Sequence, residues 1–316
     1  MRVVFFGTPE WAVPSLDALL RSRHEVLRVV SQPSRRSARG AAPGPPPVAR
    51  RAQDAGLPLT QPGSARDPEL HAQVSADAAD VAVIVAWGEI VPRALLSVPR
   101  HGFVNLHFSL LPRWRGAAPV QWAIAAGDPV TGVTTMQVSE RLDAGAVYDT
   151  LREPIRDDDT APALGARLAG LGADLLVGTL DRIEAGTAVG ALQEESEATH
   201  ARMLRKEDAL VDWSLPAAAI ARRVRAFDPW PGCETRGPKG PLRLLAVRAG
   251  GREPPDGRDA PPGTVLAIAD DALRIASGEG TVLLAQRLQA PGGRPVSGRE
   301  AANGRLISIG DRLGSA

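Results

Sequence analysis

The sequence predicts an α/β domain built on a mostly parallel, doubly wound sheet, followed by a smaller β-rich domain. Three observations carry that prediction. Strands and helix-like stretches alternate over the first two hundred residues, which is the pattern of successive parallel strands with helical crossovers. Asp80–Ala86 is an unbroken Val/Ala/Ile run, as a strand buried on both faces requires. After about residue 205 the chain turns to short strand candidates separated by Gly/Pro/Asp-rich turns, which suggests a small barrel or sandwich.

Each element has its own signal. Arg2–Phe6 is a short apolar run ending in Gly7-Thr8, Pro14–Arg21 is helix-like, and Glu25–Ser31 reads as a second strand. Gly102–Phe108 and Gly132–Val138 read as further strands. From Thr160 to about Glu184, leucines at 164, 168, 171, 175 and 180 keep a helical spacing, behind an Asp157-Asp158-Asp159 run that suits a helix N-terminus. Residues 32–47 break the alternation: a Pro/Gly tract carrying Arg35, Arg36 and Arg39 has no apolar anchor and predicts a long exposed loop. Beyond residue 205, Ala217–Ala226 is helix-like, and Leu242–Arg248, Gly263–Ala269, Ala272–Ala276 and Thr281–Leu288 are the strand candidates.

Composition narrows the function more by exclusion than by suggestion. The 316 residues are 44% apolar and 23% charged, a soluble globular balance, and the net charge of +1 announces neither nucleic acid nor membrane. That neutrality hides a difference, since the chain from Arg205 onward holds 17 basic and 13 acidic residues. The single cysteine, Cys233, excludes an internal disulfide and a Cys-based zinc site. The five histidines are dispersed, with no carboxylate at ligand spacing near them in sequence, so no metal is expected. No run of eighteen apolar residues predicts a transmembrane helix, and the N-terminus enters a strand directly, so the expected location is cytoplasmic. Gly7 follows the first strand, yet neither G-x-G-x-x-G nor a P-loop stands there, which argues against a conventional dinucleotide or ATP enzyme.

The segment Val104 to Gly116 is where chemistry is expected. Period-two geometry puts Asn105 and His107 on one face of a strand at its C-terminal end, where open α/β sheets place ligands. An amide donor beside an imidazole can bind an oxyanion and handle a proton. The strand Gly132–Val138 leads to Leu142-Asp143-Ala144-Gly145, whose glycine marks a tight turn able to present the Asp143 carboxylate at the same sheet edge. A carboxylate there would orient His107 and favour its cationic form. The competing reading of Asp143 is a turn residue that satisfies its own backbone.

These motifs carry a resemblance that runs nearly end to end. Phe6-Gly7-Thr8-Pro9-Glu10, Asn105-Leu106-His107, Ser109-Leu110-Leu111-Pro112, Leu142-Asp143-Ala144-Gly145, Asp212-Trp213-Ser214 and Arg225-Ala226-Phe227-Asp228-Pro229-Trp230-Pro231 resemble the folate-dependent formyltransferase family. Within it, Arg113-Trp114-Arg115-Gly116-Ala117-Ala118-Pro119 and the second-half motifs single out the type that acts on methionyl-tRNA. The resemblance implies a Rossmann-like catalytic domain without dinucleotide over residues 1–204 and an OB-like, tRNA-binding β-barrel over 205–316. It implies formyl transfer from 10-formyltetrahydrofolate to the α-amine of methionyl initiator tRNA, by a monomer with no metal and no membrane contact.

By the same resemblance the catalytic trio falls on Asn105, His107 and Asp143. Ser109, Leu110, Leu111 and Pro112 fall on the folate-contacting stretch, and Trp87 and Ile90 on the loop over the pterin. Arg35, Arg36 and Arg39 fall on the tRNA-contacting loop, with Arg39 at the position of the family's functional arginine. Two departures stand out: Ala41-Ala42 replace lysines of that loop, and Phe108 replaces a small residue after the histidine. The alternatives are a formyltransferase acting on another amine, a sugar amine or glycinamide ribonucleotide, and a 10-formyltetrahydrofolate hydrolase.

Overall fold

The computed structural model describes residues 1–34, 44–252 and 260–314. They form two compact units: Met1–Pro119, Val130–Pro154 and Ala163–Arg202 in one, and Val120–Pro129, Ile155–Pro162 and the chain from Met203 onward in the other.

The first unit is wound on strands β1 (Arg2–Gly7), β2 (Glu25–Val30), β3 (Leu59–Thr60), β4 (Val81–Val85) and β5 (Phe103–His107). A two-residue strand, β6 (Arg115–Gly116), stands outside the main sheet and pairs with β9 (His200–Ala201). Strands β7 (Val130–Gln137) and β8 (Val147–Pro154) complete a seven-stranded sheet of order β3-β2-β1-β4-β5-β7-β8. The first five are parallel, whereas β7 and β8 are antiparallel at one edge. The apolar runs of the sequence therefore end within two residues of the observed strands. The edge strand β8, VYDTLREP, was not predicted, because a half-exposed edge needs no apolar run to mark it.

Helices cover both faces of this sheet. On one face, Val4, Phe6, Ala82 and Phe103 meet Leu70 and Val74 of the helix Pro68–Asp77 and Leu95 of the helix Arg93–Leu96. Complete burial of such side chains contributes about 1.5–3 kcal/mol each. The helix Pro68–Asp77 opens on Asp67-Pro68, with the Asp67 side chain accepting the Glu69 N–H at 2.9 Å, an N-cap that serves an otherwise unpaired donor. The opposite face carries Leu106, whose side chain packs where Gly172 leaves room in the long helix Ala161–Glu184. That helix is, among the described residues, the one stretch long and apolar enough to cross a membrane. Its Leu164, Leu168, Leu176 and Leu180 are wholly buried, so its apolar side is spent on the core.

The second unit is the small antiparallel β domain expected from its turn-rich sequence. Strands β10 (Cys233–Gly237), β11 (Gly240–Arg252), β12 (Val265–Ala269), β13 (Ala272–Ser277) and β14 (Thr281–Gln289) run in the order β10-β11-β14-β13-β12, and β15 (Val296–Ser297) pairs with β14. The helix Ala217–Phe227 buries Ile220, Val224 and Phe227, spaced at four and three residues along one side. Trp213 is buried and donates Nε1–H to Thr235 Oγ1 at 2.9 Å. Beside it Asp212 accepts the N–H and O–H of Ser214 at 2.9 and 2.6 Å, which hold its carboxyl below the usual carboxylate range.

Candidate active site

Strand β5 alternates its side chains between two environments. Phe103 anchors one end of a face in the core, and Asn105 and His107 follow on that face while Leu106 turns to the other. His107 is only 5% exposed. Its Nε2 lies 2.9 Å from the Trp114 carbonyl oxygen, which can only accept, so Nε2 carries the proton. Nδ1 is therefore the nitrogen left for chemistry, and it faces Asp143 Oδ2 at 3.7 Å.

Asp143 reaches this pair by a route the sequence did not reveal. The strand before it does not end at the edge that carries His107, because β7 is antiparallel to β5 and ends beside its start, with the Val138 N–H on the Phe103 carbonyl at 2.8 Å. Residues 138–146 then fold back across the face bearing Asn105 and His107. Asp143 Oδ1 stands 3.5 Å from Asn105 Nδ2, and Oδ2 accepts the Gly116 N–H at 2.8 Å. The turn holds Asp143 itself in the left-handed region (φ 48°). Gly145 packs so closely on the Gln137 carbonyl that any Cβ would overlap that oxygen, which explains the glycine better than the turn alone.

The stretch from Ser109 to Gly116 is wired to both groups. Ser109, fully buried, donates Oγ–H to the Arg113 carbonyl at 2.6 Å. Thr134 of β7 donates to the Ser109 carbonyl at 2.7 Å and accepts the Leu111 N–H at 3.2 Å. Leu111–Pro112 is cis and Trp114 has φ 63°. Trp114 thus supplies the carbonyl on His107, and Gly116 the amide on Asp143. Leu110 and Pro112 are half-buried and Leu111 buried.

Other expected site residues are placed differently. The Trp87 ring is 1% exposed and packs edge-on against Phe6 at 5.0 Å, so its outward contribution is backbone, where its carbonyl accepts Thr8 Oγ1–H at 3.2 Å. Ile90 is 73% exposed. Phe108 packs on Trp11 at 5.9 Å. Arg35, Arg36 and Arg39, with Ala41 and Ala42, lie outside the described residues.

Sequence reasoning missed Trp114, Gly116, Thr134 and Gln193 as supports of the site. The first two lie inside a motif already singled out; Gln193 has no local signal in its polar surroundings. It also missed that His24 and the distant pair Asp181 and Glu184 bring possible ligand atoms within 4.8 Å of one another. Arg23 pairs with both carboxylates at 2.8 Å, and burial pulls the His24 imidazole below its usual range.

Comparison with known proteins gives this geometry its family. Residues 1–180 match the formyl transferase family and residues 203–306 its C-terminal domain. The methionyl-tRNA formyltransferase of Methylococcus capsulatus is 44% identical over 315 residues, covering all of both chains. That of Chromohalobacter salexigens is 45% identical over 318 residues, 99% of this chain and 97% of the relative. Among solved structures, an N-formyltransferase from Helicobacter canadensis in complex with folinic acid and dTDP-3-aminofucose matches with TM-score 0.66 at 15% identity, over 90% of this chain and 98% of that one. HypX from Aquifex aeolicus in complex with tetrahydrofolic acid matches with TM-score 0.61 at 17% identity; it covers 98% of this chain, which spans about half of that protein (48%). The two likenesses show a shared fold, and the full-length identities decide the branch: the chain belongs to the formyl transferase family, among the methionyl-tRNA formyltransferases.

Proposed function

We propose that this chain transfers the formyl group of 10-formyltetrahydrofolate to the α-amine of methionyl initiator tRNA, with Asn105, His107 and Asp143 as its catalytic residues. One observation carries the reading: three polar side chains from two distant segments converge, with the Asn105–Asp143 hydrogen bond long at 3.5 Å and His107 Nδ1 3.7 Å from the carboxylate, contacts loose enough to be exchanged for a ligand. In the reaction the amine nitrogen attacks the formyl carbon, and the carbonyl oxygen becomes an oxyanion. Asn105 Nδ2–H and the Nδ1–H of protonated His107 donate to it. Such donors act strongly because they are already oriented before charge develops. Asp143 takes the proton lost by the attacking amine. Collapse of the intermediate breaks the bond from the formyl carbon to the folate nitrogen, which takes up a proton, leaving formylmethionyl-tRNA and tetrahydrofolate.

On this reading Ser109 to Pro112, with the backbone at Trp87 and the exposed Ile90, bound the folate site. Residues 1–204 carry the chemistry, residues 205–316 help hold the tRNA, and the chain works as a cytoplasmic monomer. Arg35, Arg36 and Arg39 contact phosphates, with no lysines at 41 and 42 to assist, so binding weakens with salt.

The test is formylation of charged initiator tRNA by the purified chain supplied with 10-formyltetrahydrofolate. Formate released without an acceptor, or transfer to a sugar amine in preference to the tRNA, overturns the reading. Arg39→Ala is expected to lower kcat/KM for the tRNA at fixed ionic strength while folate affinity holds. Equal losses in both would assign Arg39 to the folate site or to the fold.

A further inference from the structure

We infer that Gln193 is a positioning residue that clamps the Asp143 turn, fixing the acid through its backbone while Gly116 fixes it through its carboxylate. The inference rests on the proposed role of Asp143 in proton transfer. The Gln193 amide uses both its hydrogens on that turn: Nε2 donates to the carbonyl of Asp143 at 2.9 Å and to that of Gly145 at 2.8 Å. Its Oε1 accepts Arg115 Nε–H at 3.0 Å. Arg115 is 2% exposed, so the guanidinium is locked by packing, and Glu195 accepts its Nη1–H at 3.0 Å. That hydrogen bond, ahead of the other contributions, holds the exposed Glu195 carboxyl below its usual range.

The same segment is stitched to the other half of the site. Thr199 Oγ1 accepts the Trp114 N–H at 2.9 Å and its carbonyl accepts the Arg115 N–H at 2.8 Å, beside the short β6–β9 pairing. Residues 193–201 therefore tie down both the carbonyl that fixes the His107 tautomer and the turn that presents Asp143. A turn with its acid at φ 48° and no helix or strand of its own needs such an external support to hold one geometry. Asp143 and Gln193 are half-buried rather than sealed, so losing Gln193 is expected to cost geometry more than stability.

The experiment compares Gln193→Met, which removes the donors and the acceptor, with Gln193→Glu, which keeps an acceptor for Arg115 but cannot donate to the two carbonyls. Both are expected to fold and to lower kcat for formyl transfer about tenfold or more, the scale of a misplaced catalytic group, with KM for tRNA and folate within about twofold. The Gly116 amide proton, followed by NMR, is expected to lose the downfield shift given by its bond to the Asp143 carboxylate. A kcat within about twofold of wild type in Gln193→Met, a Gln193→Glu variant as active as wild type, or an unmoved Gly116 resonance overturns the clamp. Gln193→Met added to Asp143→Ala is expected to change the rate less than about twofold, since it acts through a carboxylate no longer present; an undiminished loss there would mean an independent structural role and also overturns it. Wild-type turnover by Asp143→Ala alone would instead remove the proposed role of Asp143, a failure distinguishable because the Gly116 resonance, read in Gln193→Met with Asp143 intact, still reports the clamp.

Discussion

Two polar clusters in this molecule are built on opposite terms. In the second unit, Trp213 and Thr235 close on each other at 2.9 Å and Cys233 lies sealed nearby on the same strand as Thr235. In the first, Asn105, His107 and Asp143 are gathered but not closed, at 3.5 and 3.7 Å, while His107 is restrained from behind by a carbonyl at 2.9 Å and Asp143 by an amide at 2.8 Å. A satisfied pair contributes to folding and has nothing left to offer a ligand. An open pair contributes little to folding and keeps its hydrogen-bonding capacity for the reaction. Substitutions should therefore move rate at one place and stability at the other.

The largest effects are expected on rate. Asn105→Ala removes one donor to the developing oxyanion and is expected to lower kcat about 10²–10³-fold, with melting temperature nearly unchanged. His107→Ala and Asp143→Ala are expected to fall at least as far, while tRNA binding persists. Steady-state kinetics beside thermal unfolding check this. Normal kcat with a large drop in Tm would mean that the trio is a closed structural pair like Trp213–Thr235, and the contrast would be lost.

How much of this contrast the sequence displays depends on which residues are strand-borne. Asn105 and His107 were legible because a strand alternates faces with period two, so their spacing alone puts them side by side. The inner strands of the first sheet were legible as apolar runs, and its edge strands β3 and β8 were not. Asp143 was legible as a turn before glycine, but its path was not: no sequence signal says that β7 runs against β5 or that the loop folds back over the face. Gln193 was invisible, since it acts from a polar, aperiodic stretch at the other end of a long helix. Among the missed helices, Pro68–Asp77 and Pro119–Ala126 are short, with no long apolar repeat to mark them.

A smaller effect, on both quantities, is expected from Gly145→Ala. A methyl at this position would overlap the Gln137 carbonyl, so the turn must shift before the chain can close. A stability loss of about 1–3 kcal/mol, the scale of local overpacking, should accompany a fall in kcat. Unchanged kcat with lowered Tm would show that Asp143 does not depend on the geometry of its turn. In the second unit, Trp213→Phe leaves Thr235 without its partner and is expected to cost about 1–3 kcal/mol in urea unfolding while kcat holds for the fraction that is folded.

The smallest effect tests how completely the second place is closed. Burial pushes the Cys233 thiol up from 9.0 to about 12, because a thiolate there would lose its water. The unfolded chain releases that proton near the ordinary value, so between pH 9 and 12 the folded state holds a proton that the unfolded state has given up. Stability linked to this thiol is therefore complete below pH 9 and declines as pH rises through that window. Two measurements follow. At pH 8 an aromatic disulfide reagent should leave the native chain unmodified and label Cys233 fully in denaturant. Urea unfolding at pH 8 and pH 10 should show a smaller alkaline loss in Cys233→Ala than in the wild type. Rapid labelling of the native chain at pH 8 would show instead that the second unit opens readily there, and that its polar pair is no more closed than the site in the first.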